Sequence, residues 1–323
     1  MSSTWTVLLP PTIDPAGPES LADIATCTSR AAYADEDALI ADIDRYDAII
    51  TRTQPVTERL LAAADRLQIV AKHGTGVDNV DLAAASEHGV VVANTPGENA
   101  NSVAEHAVAL LLAAKRNVVD ADHATQTGEW RRADFRGHDL RGRTLGLFGA
   151  GNAGTRVATL LAGFDVTCVA YDPYADPDSL PETVSLVDDE TTLFERADDV
   201  SVHAPLTPET RHAIGAEALD ALPEDGVVVN TARGGIVDEA ALVAALEAGE
   251  LGGAGVDVYE TEPPTPDDPL LSCPGVVRTQ HNAGTSTEAL ANMSRAAAAL
   301  VRTAYEGEVP ETALNPGAWS TSS

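Results

Sequence analysis

The stretch that decides the fold runs from Thr144 to Asp172 and reads TLGLFGAGNAGTRVATLLAGFDVTCVAYD. A β-prone run, Thr144–Phe148, leads into Gly149-Ala150-Gly151-Asn152-Ala153-Gly154; a helical pattern, Thr155–Leu161, follows, and a second β-prone run, Val166–Tyr171, ends against Asp172. A GxGxxG on its own is a weak signal, because glycines also mark flexible turns. Here strand, glycines, helix and acid stand in the order that a βαβ dinucleotide-binding unit requires. Gly149 permits the tight turn, Gly151 lets the backbone approach a pyrophosphate, and Gly154 lets the helix pack on the sheet. The helix N-terminus offers free N–H groups and a positive dipole end to phosphate. Asp172 lies eighteen residues after Gly154. A carboxylate there accepts ribose hydroxyls and repels a 2′-phosphate, and Asp176 and Asp178 add to the repulsion. NAD rather than NADP is the expected cofactor.

Working outward, the same rhythm recurs. On the C-terminal side the β-prone runs are Asp199–His203, Gly226–Asn230, Gly253–Val258 and Val276–Thr279, separated by helical patterns at Thr192–Ala197, Ala216–Ala221 and Asp238–Ala248. With the two runs of the opening stretch they make six, enough for a complete doubly wound domain. On the N-terminal side the runs Thr6–Leu9, Ala48–Thr51, Gln68–Ala71 and Val90–Ala93 alternate with helical patterns at Asp35–Tyr46, Thr57–Ala64 and Leu82–His88. That alternation predicts a second parallel sheet covered on both faces. Between the two halves lies a longer helical pattern, Val103–Arg116, with Asn101 and Ser102 placed to cap it. A final helix is expected over about Thr287–Glu306, followed by a loose tail from Pro310.

Composition narrows the function classes. Of 323 residues, 44% are apolar, so the chain is globular rather than an acidic disordered segment. No apolar stretch approaches a membrane span, and the opening MSSTWTVLLPP lacks the basic and long apolar regions of a secretory signal. Cys27, Cys168 and Cys273 are odd in number and widely spaced, which suits neither a disulfide framework nor a metal site. A reducing, cytoplasmic setting is expected. The formal net charge is −30, with two lysines (Lys72 and Lys115) against eighteen arginines. Such a surface repels nucleic acid and anionic lipid, so neither is an expected partner. The charge fits an ordinary acidic protein or one built for concentrated salt. Scarce lysine and the spread of acid along the whole chain favour the halophilic reading.

Chemistry-bearing residues stand at the ends of the β-runs, the side on which ligands bind in such sheets. His203 reads as a histidine satisfied by its neighbours, with Pro205 shaping the wall on the adenine side. In Asn230-Thr231-Ala232-Arg233-Gly234-Gly235 the arginine fork suits bidentate binding of a carboxylate, against the plainer reading of a structural ion pair. Asp257 closes the run Gly253–Val258, Glu262 follows in its loop, and His281 closes the last run. A carboxylate beside an imidazole fixes its tautomer and favours the charged form, as acid–base catalysis near neutrality requires. Glu262 is the expected partner and Glu260 the next candidate. His88, His106, His123, His138 and His212 read as surface or packing residues, and no histidine pair has the spacing of metal ligands, so no metal is expected.

These residues together resemble the D-isomer-specific 2-hydroxyacid dehydrogenase family over nearly the whole chain. The landmarks are KHGTGVDNVDL (72–82), NTPGENANSVAEHAVALLL (94–112), GAGNAG (149–154), HAPLTPET (203–210), NTARGGIVDEAAL (230–242), GVDVYETEPP (255–264) and His281. The resemblance implies two doubly wound α/β domains, with a Rossmann-type cofactor domain (101–285) inserted into a flavodoxin-like substrate domain (1–100 and 286–323). It implies a cleft at their junction and a homodimer built in part by the Val103–Arg116 helix. It assigns Arg233 to the substrate carboxylate and C2 oxygen, His281 to proton transfer, and Glu262 to its support. It places Gly149, Gly151, Asn152, Ala153, Gly154, Asp172, Pro205, Thr231, Asp257 and Gly284 against NAD, with Asp257 on the nicotinamide carboxamide. Arg52, Gly74, Gly76 and Val77 would meet the substrate, the 74–77 loop as a nest of N–H groups for the carboxylate. Gln280, Ala283 and Ala153 depart from the family pattern, standing where proline, glycine and isoleucine are usual.

The family acts on several 2-hydroxyacids. Arg52, with Arg131 and Arg132 after Trp130, fits members that oxidise 3-phosphoglycerate, so phosphoglycerate oxidation is the narrower alternative. A corepressor-like, NAD-responsive binding protein is the alternative from another class, since a fold does not fix a function.

Overall fold

The computed structural model describes residues 4–319. The chain divides into two compact units, Met1–Asn99 with Thr285–Ser323, and Ala100–Gly284.

In the first unit, strands β1 (Trp5–Leu9), β2 (Ala25–Ser29), β3 (Ala48–Thr51), β4 (Ile69–Lys72) and β5 (Val91–Ala93) form a parallel sheet in the order β2-β1-β3-β4-β5. This is the flavodoxin-like winding. β3 and β4 are buried at every position, as central strands covered on both faces must be. One face packs Leu8, Ile49, Val70 and Val92 against Leu39, Leu60 and Leu61. The other packs Val7, Leu9, Ile50 and Ala71 against Ala297, Ala298, Val301 and Ala304 of the Thr287–Tyr305 helix.

Two expectations for this unit are corrected. Asp35–Tyr46 is not one helix: Glu36–Ile40 is α-helical and Ile43–Arg45 is a separate 3₁₀ turn. The tail beyond Pro310 is not loose as far as Trp319. Leu314 N–H donates to the Val92 carbonyl at 2.8 Å, Asn315 Oδ1 accepts Val92 N–H at 2.7 Å, and Thr312 Oγ1 donates to the Asn94 carbonyl at 2.6 Å. The tail thereby covers the open edge of β5, whose backbone groups would otherwise template aggregation.

In the second unit, β6 (Thr144–Phe148), β7 (Thr167–Tyr171), β8 (Val184–Leu186), β9 (Asp199–Val202), β10 (Val227–Asn230), β11 (Gly253–Val256) and β12 (Val276–Arg278) form a seven-stranded parallel sheet. The order is β12-β11-β10-β9-β6-β7-β8. Strand order reverses between β6 and β9, which is where a doubly wound sheet opens a ligand crevice. The Ala100–Lys115 helix lies across β10 and β11 through Ala104, Ala107, Leu110, Leu111 and Ala114. It comes close because β11 is built of small residues: a Cβ at Gly255 would sit 2.7 Å from Leu110 Cβ. The helix begins one residue ahead of Asn101, so Asn101 and Ser102 lie within its first turn and do not cap it.

At the N-terminal ends of the strands, opposite the ligand edge, a charge network ties this helix to the sheet. Lys115 Nζ donates to Asp199 Oδ1 at 2.9 Å and to the Asp225 carbonyl at 2.7 Å. Arg143 reaches Asp199 Oδ2 and Asp225 Oδ2, both at 2.7 Å. Lys115 and Asp199 are 3% and 1% exposed, so the pair is held away from water.

Candidate active site

The glycine turn follows β6 as the sequence demands. Gly149 adopts φ +102°, and a Cβ there would lie 2.6 Å from Ala204 N. A Cβ on Gly154 would lie 2.3 Å from the Gly149 carbonyl oxygen, whereas a Cβ on Gly151 would meet nothing within 4 Å. The turn is thus closed on the protein side and open on the other. The Asn152–Leu161 helix starts here without a side-chain cap, leaving the N–H groups of its first turn, which includes Asn152 and Ala153, for an anion.

Asp172 follows β7 and accepts Ala150 N–H through Oδ2 and Tyr174 N–H through Oδ1, both at 2.9 Å. It therefore ties the glycine turn to its own loop. Pro205 is exposed after β9, its carbonyl held by Thr210 Oγ1 at 2.7 Å. Thr231, 7% exposed after β10, has a buried Oγ1 with no hydrogen-bond partner among the described residues. An open glycine turn, an uncapped helix start, a carboxylate after β7 and a buried hydroxyl with no partner among the described residues, all at one sheet edge, fit a bound dinucleotide.

His203 corrects an expectation. Only one ring nitrogen is satisfied: Nε2 meets Ser201 Oγ at 2.8 Å, and Nδ1 is buried with no partner among the described residues. Burial pulls its pKa down to about 4, so the ring is neutral near pH 7.

The acid–base candidates stand beyond β10, β11 and β12, three adjacent strands. Arg233 is set by Asn230, whose Oδ1 accepts Ala232 N–H at 3.0 Å and whose Nδ2 donates to the Arg233 carbonyl at 2.9 Å. Gly234 is obligatory, since a Cβ there would lie 1.9 Å from the Tyr259 carbonyl carbon. His281 Nδ1 donates to Glu262 Oε2 at 2.6 Å, and Glu262 Oε1 accepts Tyr259 N–H at 3.1 Å. Glu260 turns elsewhere, pairing with His212 Nε2 at 3.0 Å. The carboxylate beside His281 is therefore Glu262.

Asp257, expected on the nicotinamide carboxamide, is fully buried. Oδ1 accepts Thr279 Oγ1–H at 2.5 Å and Asn282 N–H at 3.0 Å, and Oδ2 accepts Ala283 N–H at 2.9 Å. Burial pushes its pKa up, but these bonds and His106 outweigh it and bring the pKa to about 2. The carboxylate serves the His281 loop. Gly284, half-buried, closes that loop.

In the first unit, Arg52 follows β3 and the Gly74–Val77 loop follows β4. Gly74 departs from its expected part in the nest: its N–H donates to Thr95 Oγ1 at 2.9 Å. The N–H groups of Gly76 and Val77 have no partner among the described residues. Arg52 is half-buried, and no acidic side chain among the described residues pairs with it.

The family model for "D-isomer specific 2-hydroxyacid dehydrogenase, NAD binding domain" matches residues 108–283. The chain belongs to this family. It is 40% identical over 283 residues to a glyoxylate reductase of Korarchaeum cryptofilum, covering 86% of this chain and 85% of that one. It is 44% identical over 257 residues to a D-3-phosphoglycerate dehydrogenase of Archaeoglobus fulgidus, covering 79% of this chain and 49% of that one. The chain thus spans about half the length of the D-3-phosphoglycerate dehydrogenases it matches. Among solved structures, it is similar to an NADPH-dependent glyoxylate/hydroxypyruvate reductase of Sinorhizobium meliloti in complex with NADP and malonate. That match has a TM-score of 0.86 at 32% identity and covers 99% of this chain and 100% of that one.

Sequence reasoning missed the residues behind the His281 loop. Ser102 Oγ donates to the Ala283 carbonyl at 2.7 Å, and His106 Nε2 lies 3.0 Å from Thr279 Oγ1. The i, i+4 spacing of Ser102 and His106 places them on one helix face, but nothing in the sequence reveals what that face meets.

Proposed function

We propose that the chain interconverts a D-2-hydroxy acid and its 2-keto acid with NAD as hydride acceptor and donor. The 2.6 Å pairing of His281 with Glu262 beside the Arg233 turn carries this reading. When bound, the nicotinamide supplies or takes the hydride at C2. Arg233 holds the substrate carboxylate and draws electron density toward the C2 oxygen. In reduction His281 gives its Nε2 proton to that oxygen, and in oxidation it takes the proton back. Glu262, occupying Nδ1–H, aims Nε2 and stabilises the imidazolium. Arg52 and the Gly76–Val77 N–H groups are proposed to contact the substrate anion. A panel of glyoxylate, hydroxypyruvate, pyruvate and 3-phosphohydroxypyruvate with NADH tests the reading. Turnover of any supports it; none on all four would favour an NAD-responsive scaffold. A second reading, phosphoglycerate oxidation, is favoured by Arg52, and a preference for 3-phosphohydroxypyruvate would establish it.

Asp172 gives the cofactor preference. The carboxylate repels a 2′-phosphate, so kcat/KM is expected to be higher with NADH than with NADPH. An NADPH preference would show that another group overrides Asp172.

We further infer a salt-adapted surface, a homodimer and a cytoplasmic setting. Both lysines are buried, Lys72 at 7% and Lys115 at 3% exposure, so exposed positive charge among the described residues rests on arginine and histidine. The −30 net charge repels itself in the compact state until salt screens it. Tm is expected to rise with potassium chloride toward molar concentrations; a flat or falling curve removes the halophilic reading. Val118, Val119 and Trp130, exposed by 52%, 48% and 83%, support a surface covered in a dimer, which sedimentation can check. The three free cysteines suit a reducing compartment.

A further inference from the structure

His281 has φ +50°, in the left-handed region that a non-glycine residue adopts only when its surroundings hold it there. The holding groups are identifiable. Its own N–H donates to the Asp257 main-chain carbonyl at 2.6 Å, and the Asp257 carboxylate takes the next two N–H groups, of Asn282 and Ala283. The Ala100–Lys115 helix grips the same loop from the other side, through Ser102 on the Ala283 carbonyl and His106 on Thr279.

The direction of each bond follows from donor chemistry. An ionised carboxylate only accepts, so the Thr279 hydroxyl gives its one proton to Asp257 Oδ1. Thr279 Oγ1 must then accept from His106, which requires a proton on His106 Nε2. The charged group facing His106 is Asp257, whose Oδ1 lies 3.6 Å from Nε2. The charged group facing the His281 ring is Glu262.

We propose that Ser102 and His106, one turn apart on the Ala100–Lys115 helix, are positioning residues that hold the His281 loop through Thr279 and Asp257. In this role they act through the loop rather than on the reacting atoms. They keep the imidazole in register with Glu262 and with the C2 oxygen, and the proposal rests on the proton-transfer role given to His281 above.

Three variants test it in molar potassium chloride: His106→Leu, His106→Gln and Thr279→Val. Glutamine places an N–H donor where Nε2 stands; leucine does not. In His106→Leu and Thr279→Val the amides of Asn282 and Ala283 are expected to exchange with solvent at least about tenfold faster. With a 2-keto acid that the parent reduces, kcat should fall about 10–100-fold with KM for NADH near the parent value. His106→Gln should restore the exchange rates and kcat. Nitrogen NMR of the parent should show His106 protonated at Nε2. Folded Leu and Val variants with parental exchange and kcat would overturn the proposal, as would a Gln variant no better than Leu. If Leu fails to fold, Thr279→Val and the Gln comparison decide. A parent that reduces no keto acid would count against the proposed function, and the exchange and NMR results would still decide the loop-holding claim.

Discussion

Lys115→Met is expected to lower Tm by about 10 °C while leaving the pH profile of the folded protein's activity unchanged. Lys115 and Asp199 form an ion pair almost wholly removed from water. Removing one partner of such a pair leaves a buried charge and costs about 3–5 kcal/mol. For a unit of this size each kcal/mol shifts Tm by roughly 2–4 °C. Arg143 remains at 2.7 Å from Asp199 Oδ2 and softens the loss, which argues for the lower end of the range. Asp199→Asn should cost at least as much, because it leaves two cations, Lys115 and Arg143, facing a neutral amide. Salt separates this effect from the surface: molar potassium chloride screens the self-repulsion of the acidic exterior but reaches a buried pair weakly. The deficit relative to the parent should therefore persist as both curves rise with salt. A Tm change within about 1 °C for both variants would mean that Arg143 and Asp225 alone hold this end of the sheet.

The same network shows where sequence reading stops. Lys115 and Arg116 are adjacent in sequence, yet one is buried against Asp199 and the other lies at the surface. Only the sheet order, which brings β6, β9 and β10 side by side, makes the difference. Central strands were legible because burial on both faces writes itself as unbroken apolar runs, as in Ile49-Ile50 and Val227-Val228-Val229. Of the edge strands, β5 and β12 were legible and β2 and β8 were not. β2 is Ala-Thr-Cys-Thr-Ser and pairs on one side alone, and β8 has three residues, so neither carries an apolar signature. The glycine turn was legible through its residue types and spacing: Gly154 is closed off by the Gly149 carbonyl within the same turn, whereas the backbone that closes off Gly149 is Ala204, after β9. Asp257 is legible as a strand-end carboxylate, but the loop it holds is not. A carboxylate that accepts three donors from residues 22 to 26 positions further on leaves no trace in the sequence around it. The tail from Pro310 looked loose by composition, and Asn315 holds it down because its side-chain amide matches the backbone edge of β5.

His281→Ala is expected to cost the most, on the order of 10²–10⁴-fold in kcat, the range for loss of a general acid. Reduction builds negative charge on the C2 oxygen as hydride arrives, and without the imidazole the proton must come from water. Oxidation loses its base by the same change, so both directions should fall together. Glu262→Gln separates charge from shape. Glutamine can keep a hydrogen bond to His281 Nδ1, where the carboxylate now stands at 2.6 Å, but it removes the Coulomb attraction for the imidazolium. Reduction, which needs the protonated ring, should therefore lose more rate than oxidation, which needs the neutral one. Solvent moderates the size of the effect, because His281 and Glu262 are 48% and 37% exposed. Glu260→Gln provides the comparison. Its carboxylate faces His212 rather than His281, so its rates should match the parent. Rates for Glu262→Gln that coincide with the parent within error in both directions would show that the pairing at 2.6 Å orients the ring without setting its charge.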